Sequence, residues 1–401
     1  MKPLWLAFVT VACARGLGPE GYGVFSTALA VATIASSFTS WGIQTFTVRE
    51  VSLSTIKASY LLSNFILLRI ILFVISGLIA IFISIILGYK STLTLSVIFG
   101  CLFMFANAIT IYAHAFFQSF QVLGYQAASI VAEKVLVIFF GGIALLVVSS
   151  AAGVLAGMAL GAALTALGTL RVVTRQLAPI DLKLVQGKFF RQTLPSLAPL
   201  GLIAALSAVF YRVDTIMVEH SLGVTSAGYY GLAFRLVEAL NLLLVVLVDA
   251  GTYPRLASLA GNGDERGIWT LFRSTATLLV VSSVPIAACV SMLAAPIIGI
   301  AGSAELAPAI PVLALLAWAF PLTSIRHLLW STMIAKGDDV FTMWSLGGGV
   351  GLNITLNAVL LPALGLEGAV IATLVSEGGL LLVFGVRLVH LRRRVLQPST
   401  P

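Results

Sequence analysis

Five arginines interrupt long apolar stretches of this chain: Arg69, Arg212, Arg235, Arg273 and Arg326. A guanidinium offers five N–H donors in a planar fork that matches phosphate oxygens. A charge near the centre of a membrane helix costs about 2.5–3.5 kcal/mol on insertion scales, so such residues rarely face lipid. Arginines turned inward together would line a basic cavity, and the ligand that suits it is anionic, a phosphate or pyrophosphate. Carboxylates occur at similar depth. Asp214 lies two residues after Arg212, Glu238 one turn after Arg235, and Asp249 further along the same stretch. They could carry protons or place a cation, but neutralisation of the arginines is the favoured reading. Arg235 and Glu238 stand at i, i+3 and can pair on one helix face.

Other polar groups share this depth. Glu133 and Lys134 are neighbours, expected to point in different directions and to need separate partners. Arg326 is followed by His327, and Glu377 lies in the last apolar stretch. Asn353 and Asn357 stand four apart on one helix face and are candidates for a polar cavity wall or for helix packing. Soluble catalytic and metal-binding patterns are missing. Cys13, Cys101 and Cys289 sit singly, and His114, His220, His327 and His390 are widely separated. No Gly-Lys-Ser/Thr phosphate loop and no nucleophilic triad is present. The expectation is a non-enzyme with no cofactor and no metal.

The elements that must position these groups follow from composition. The chain has 401 residues, 59% hydrophobic and 9% charged, and its mean hydropathy is +1.07. A soluble domain carries about 25% charged residues to cover its surface. The apolar runs are continuous, unlike the alternation of barrel strands, and many approach the ~20 residues that cross a bilayer as helix. About twelve spans are predicted, at 3–14, 23–48, 60–88, 93–117, 126–148, 152–171, 193–218, 227–250, 268–300, 307–334, 341–361 and 368–390. The first is too short to cross about 30 Å of hydrocarbon. Gly153, Gly157 and Gly161 recur every four residues, a spacing that lets helices approach. Gly347–Gly349 and Gly351 do the same in the eleventh span, with bending as the alternative.

One short loop occurs twice. Leu17-Gly18 with Gly21-Tyr22 recurs as Leu222-Gly223 with Gly228-Tyr229, each before a long apolar helix. This recurrence predicts an all-α polytopic membrane protein of two pseudo-symmetric six-helix lobes around a central cavity, the arrangement of many transporters. The lobes are expected at 1–175 and 193–401, the second ending in a basic tail, with a cytoplasmic linker at 176–192. With the amino terminus inside, Arg49, Lys57, Arg171, Arg175, Lys183, Lys188, Arg191, Arg255, Arg266, Lys336, Arg387 and Arg392–Arg394 fall on the cytoplasmic side. Only Arg15 and Lys90 fall clearly outside, which predicts that both termini are cytoplasmic. The net charge of +8 therefore reads as topology, with nucleic acid not expected as a partner.

The stretch from Ala14 to Gly23, Gly42-Ile43 with Val48-Arg49-Glu50, Asp214-Thr215-Ile216-Met217 before Leu222-Gly223, and Asn353 to Asn357 before Leu361-Pro362, Gly365–Ala369 and Thr373 together resemble bacterial polysaccharide flippases. These belong to the polysaccharide-synthesis branch of the multidrug/oligosaccharidyl-lipid/polysaccharide exporters. The resemblance runs from about Ala14 to Glu377, and departs from the family in its shorter first helix. It implies movement of an undecaprenyl-pyrophosphate-linked oligosaccharide across the inner, cytoplasmic membrane by alternating access. The cavity arginines would hold the pyrophosphate, and membrane lipid would surround the protein. A polysaccharide polymerase and assembly proteins are further candidates for partners. A lipid II flippase and a cation-coupled multidrug exporter of the same superfamily are the alternatives.

Overall fold

The computed structural model describes residues 5 and 7–396. The described residues are helical throughout, without strands. Eleven helical segments among them are long and apolar enough to cross a membrane. They coincide with the expected spans from the second to the twelfth. Of the expected first span, residues 3, 4 and 6 lie outside the described residues, as do the tail beyond residue 396 and the side chains of Arg393 and Arg394. The rest of that span is a short piece that runs through a π-helical turn, Phe8–Ala12, into α1 (Cys13–Ser40).

A backbone break at Gly18, φ 66° and ψ −180°, separates this piece from the long part of α1. Only glycine adopts that conformation cheaply, and Pro19 is pre-set to restart the helix behind it. The second copy of the loop uses the same device. Gly223, φ 85°, stands between α7 (Gly187–Leu222) and α8 (Val224–Leu244). The sequence repeat is thus a repeat of backbone geometry: a leucine ends one helix, and a glycine at positive φ turns the chain into the next.

Contacts divide the chain into two compact units, Met1–Ile216 and Met217–Pro401. In the first, α1 is followed by α2 (Ile43–Leu53), α3 (Ala58–Ile86), α4 (Ser91–Ser119), α5 (Leu123–Val147) and α6 (Ala151–Gln176). The α3 helix shows how an almost wholly apolar sequence is shared out. Leu61, Leu62, Phe65 and Leu68 are buried, whereas Ile70, Val74, Leu78 and Phe82 are exposed. A water-soluble protein would not leave so continuous an apolar face open. For a multi-pass membrane protein it is the lipid contact.

The segment after α6 is not a free tether. Ser63 Oγ of α3 accepts from Asp181 N at 2.9 Å, and Asn64 Nδ2 donates to Leu184 O at 3.0 Å. Asn64 Oδ1 accepts from Gln186 N at 3.0 Å, and Ser59 Oγ donates to Pro179 O. Phe189 and Leu197 then enter the core around Phe65, Tyr112 and Phe116. These contacts fasten residues 179–197 to the first unit.

Gly157 and Gly161 meet the backbone of α5. A Cβ at Gly161 would come within 2.6 Å of Leu136 C and O. Gly161→Leu is therefore expected to force α5 and α6 apart at a cost of about 1–3 kcal/mol. Gly168→Leu on the same helix meets open space and should be tolerated. Thermal unfolding of both purified variants in detergent checks this, and equal melting temperatures would overturn it.

The second unit continues from α8 through a π-helical stretch, Val245–Thr252, into α9 (Tyr253–Gly261). Then follow α10 (Glu265–Met292), α11 (Ala294–Ala301), α12 (Ala309–Leu316), α13 (Ala319–Ala335), α14 (Asp339–Leu364) and α15 (Leu366–Leu396). The apolar stretch expected at 268–300 is broken at Leu293, between α10 and α11. The α14 helix runs unbroken through its glycine cluster, where Gly349 packs on Leu380 of α15.

Candidate functional site

In the first unit, Arg69 is 1% exposed. Its Nη1 donates to Ala108 O at 3.0 Å, and its Cζ lies 4.8 Å from the Tyr112 ring centroid. Tyr112 in turn donates to Leu61 O at 3.0 Å. This arginine ties α3 to α4 through a backbone carbonyl and a ring face. Asp214 is buried in α7, and Arg212 is half-buried two residues before it.

Glu133 and Lys134 depart from expectation: they pair with each other, Nζ to Oε1 at 2.6 Å. Their Cβ atoms diverge, but the four-carbon lysine stem is long enough to bring the ammonium back. Asn107 Nδ2 of α4 donates to the same oxygen at 2.7 Å, and the Lys134 ammonium lies 5.1 Å from the Trp5 ring centroid. Nearby, His114 Nε2, Ser129 Oγ and Thr169 Oγ1 form a chain at 2.9 and 3.0 Å that links α4, α5 and α6.

In the second unit each charged group has its own surroundings. Arg326 on α13 and Glu377 on α15 form a buried pair, each with 3% of its side chain exposed. Nε donates to Oε2 at 2.5 Å and Nη2 to Oε1 at 3.4 Å. Arg235 Nη1 donates to Glu238 Oε2 at 2.9 Å within α8, where 18% of the arginine side chain and 32% of the glutamate remain exposed. Asp249 lies in the π-helical stretch and meets His327 Nε2 of α13 at 2.8 Å. A π-turn adds a residue to the helical repeat and so re-aims the side chains it carries. Asn357 Nδ2 donates to Asn353 O at 3.0 Å and to Asn353 Oδ1 at 3.2 Å, both residues buried. Arg273 is exposed, its Cζ 5.2 Å from the Trp269 ring centroid.

Arg235, Arg273 and Arg326 thus stand on three different sets of partners. Two are poised differently for chemistry. Arg326 spends its fork on a buried carboxylate, whereas Arg235 makes one contact and keeps donors and surface open. Sequence reading overlooked Trp269, Lys336 with Glu265, and Arg387 with Asp338 at 2.7 and 3.2 Å. The i, i+4 spacing of Trp269 and Arg273 was a legible signal. The other two pairs join separate helices and left none.

The profile of a family described as "Polysaccharide biosynthesis protein" matches residues 5–260. The profile described as MatE matches residues 199–359. Comparison with curated proteins finds no match. Among solved structures, a multidrug resistance MATE family transporter of the MOP superfamily is similar with a TM-score of 0.75 at 15% identity, over 98% of this chain and 96% of that one. The lipid II flippase MurJ is similar with a TM-score of 0.73 at 14% identity, over 96% of this chain and 85% of that one. At such identities the likeness is one of fold.

Proposed function

Because the chain belongs to the polysaccharide biosynthesis protein family, we propose that it is a flippase that moves an undecaprenyl-pyrophosphate-linked oligosaccharide across the cytoplasmic membrane. Alternating access is its mode of transport, and both termini are cytoplasmic. The observation that supports this best is Arg235. It lies well inside a predicted span, part of its side chain is exposed, and a single carboxylate contact leaves most of its donors unused. A partly exposed guanidinium at that depth is costly against acyl chains, so in this reading its open side is turned to a water-filled space. There it can grip the pyrophosphate, with Glu238 keeping it in position. Arg69 and Arg326 are braces between helices in this reading: both are buried, Arg326 against the carboxylate of Glu377 and Arg69 against Ala108 O and the Tyr112 ring, with its Nε left without an acceptor. The carboxylate of Asp214 serves as a charge neutraliser, Asp249 as the hydrogen-bond partner of His327, and Asn353 with Asn357 as a packing pair. The family profile over residues 5–260 is what supports a glycan-linked cargo over a drug.

The test is a deletion strain. Undecaprenyl-linked oligosaccharide should build up on the cytoplasmic leaflet, and surface polysaccharide should be lost. Absence of build-up, together with greater sensitivity to cationic drugs, would replace this reading by that of a multidrug exporter.

A further inference from the structure

The start of α10 and the end of α15 carry a group of charges that the transport reading does not use. Lys336 is held by Glu265, and Arg387 by Asp338. Arg273 and Arg392 are placed differently. Their Cζ atoms lie 5.2 and 4.4 Å from the centroid of one indole, that of Trp269. Both arginines are exposed. A guanidinium over a ring uses its face for the contact and keeps its in-plane N–H donors for other partners. Sharing one indole keeps the two Cζ atoms within about 10 Å of each other, a spacing over which two long, exposed side chains can turn their open donors toward one lipid headgroup. The indole Nε1 itself is buried and has no acceptor, so the ring serves the arginines as a platform.

The position defines the anion. Trp269 lies near the start of the span Glu265–Met292, and Arg392 ends the span Leu366–Arg392. Tryptophan at a span end sits at headgroup level, where basic residues attract anionic lipid. We propose that Arg273 and Arg392, spread on Trp269, form a binding site for the phosphate of an anionic phospholipid. The site is independent of the flippase reading and stands or falls without it.

The experiment uses the full chain purified in uncharged detergent. Its melting temperature is followed during titration with phosphatidylglycerol, phosphatidylcholine or inorganic phosphate. Phosphatidylglycerol alone should raise it, in a saturable and salt-sensitive way. R273Q/R392Q should weaken the apparent affinity on the order of tenfold for each guanidinium lost. R266Q, an exposed arginine on the same helix, should respond as the unmodified chain does. If the double glutamine variant does not fold, R273K/R392K keeps the charges but not the forks, and should bind with intermediate affinity. An unchanged phosphatidylglycerol response in the arginine variants would overturn the site. An equal effect of phosphatidylcholine would remove the role of charge, and saturation by inorganic phosphate would overturn the assignment to lipid.

Discussion

Arg235→Ala is expected to abolish export while the protein still inserts and folds. Removing one partner from a hydrogen-bonded charge pair costs about 2–5 kcal/mol, and each 1.4 kcal/mol is a tenfold change. If that energy is used to hold the pyrophosphate, flux should fall by roughly 30-fold to more than 1,000-fold. Insertion should not suffer, because the substitution takes a charge out of a span. Arg235→Lys keeps the charge but not the planar fork, so partial activity is expected. Glu238→Gln separates two roles for the carboxylate. If Glu238 only positions and neutralises Arg235, the amide still accepts the 2.9 Å hydrogen bond and most export survives. Complete loss would instead mean that the carboxylate takes part in coupling. The readout is surface polysaccharide and leaflet-specific accumulation of lipid-linked oligosaccharide in a complemented deletion strain, at matched protein levels. Wild-type export by Arg235→Ala would sink the assignment.

Much of the architecture was legible because membrane helices announce themselves locally. Length and hydropathy suffice for a span, and Leu222-Gly223 repeats Leu17-Gly18 because both turns need a residue that tolerates positive φ. Pairing within one helix was legible for the same reason, since Arg235 and Glu238 differ by one turn. The hidden part is tertiary. Arg326 and Glu377 are 51 residues apart, and Asp249 and His327 are 78 apart. Hydropathy marks each as a charge at depth but does not name its partner. The π-helical stretch Val245–Thr252 is as apolar as its flanks, so no compositional signal betrays the added residue that re-aims Asp249. Glu133 and Lys134 mislead for a simpler reason: helical geometry fixes Cβ directions, not where a lysine ammonium ends.

Glu377→Ala should be the most destabilising of these substitutions. It leaves Arg326 almost wholly enclosed and without its carboxylate. Breaking a buried pair from one side costs about 3–5 kcal/mol, because the remaining charge has lost its counter-charge and cannot regain water. For a unit of this size each kcal/mol lowers the melting temperature by about 2–4 °C, so a drop of about 6–20 °C is expected in detergent. The pair itself is a different matter. Replacing both members by apolar residues of similar volume is often neutral or stabilising, so R326M/E377L should recover most of the loss. Thermal unfolding of the two single variants and the double variant forms a cycle that isolates the coupling. Additive losses would contradict the brace. Export by the double variant then separates structure from function. If it folds and transports, the two residues only join α13 to α15. If it folds and fails, the charges of the pair are needed in the transport cycle itself, and the anion-holding role assigned to Arg235 alone is too narrow.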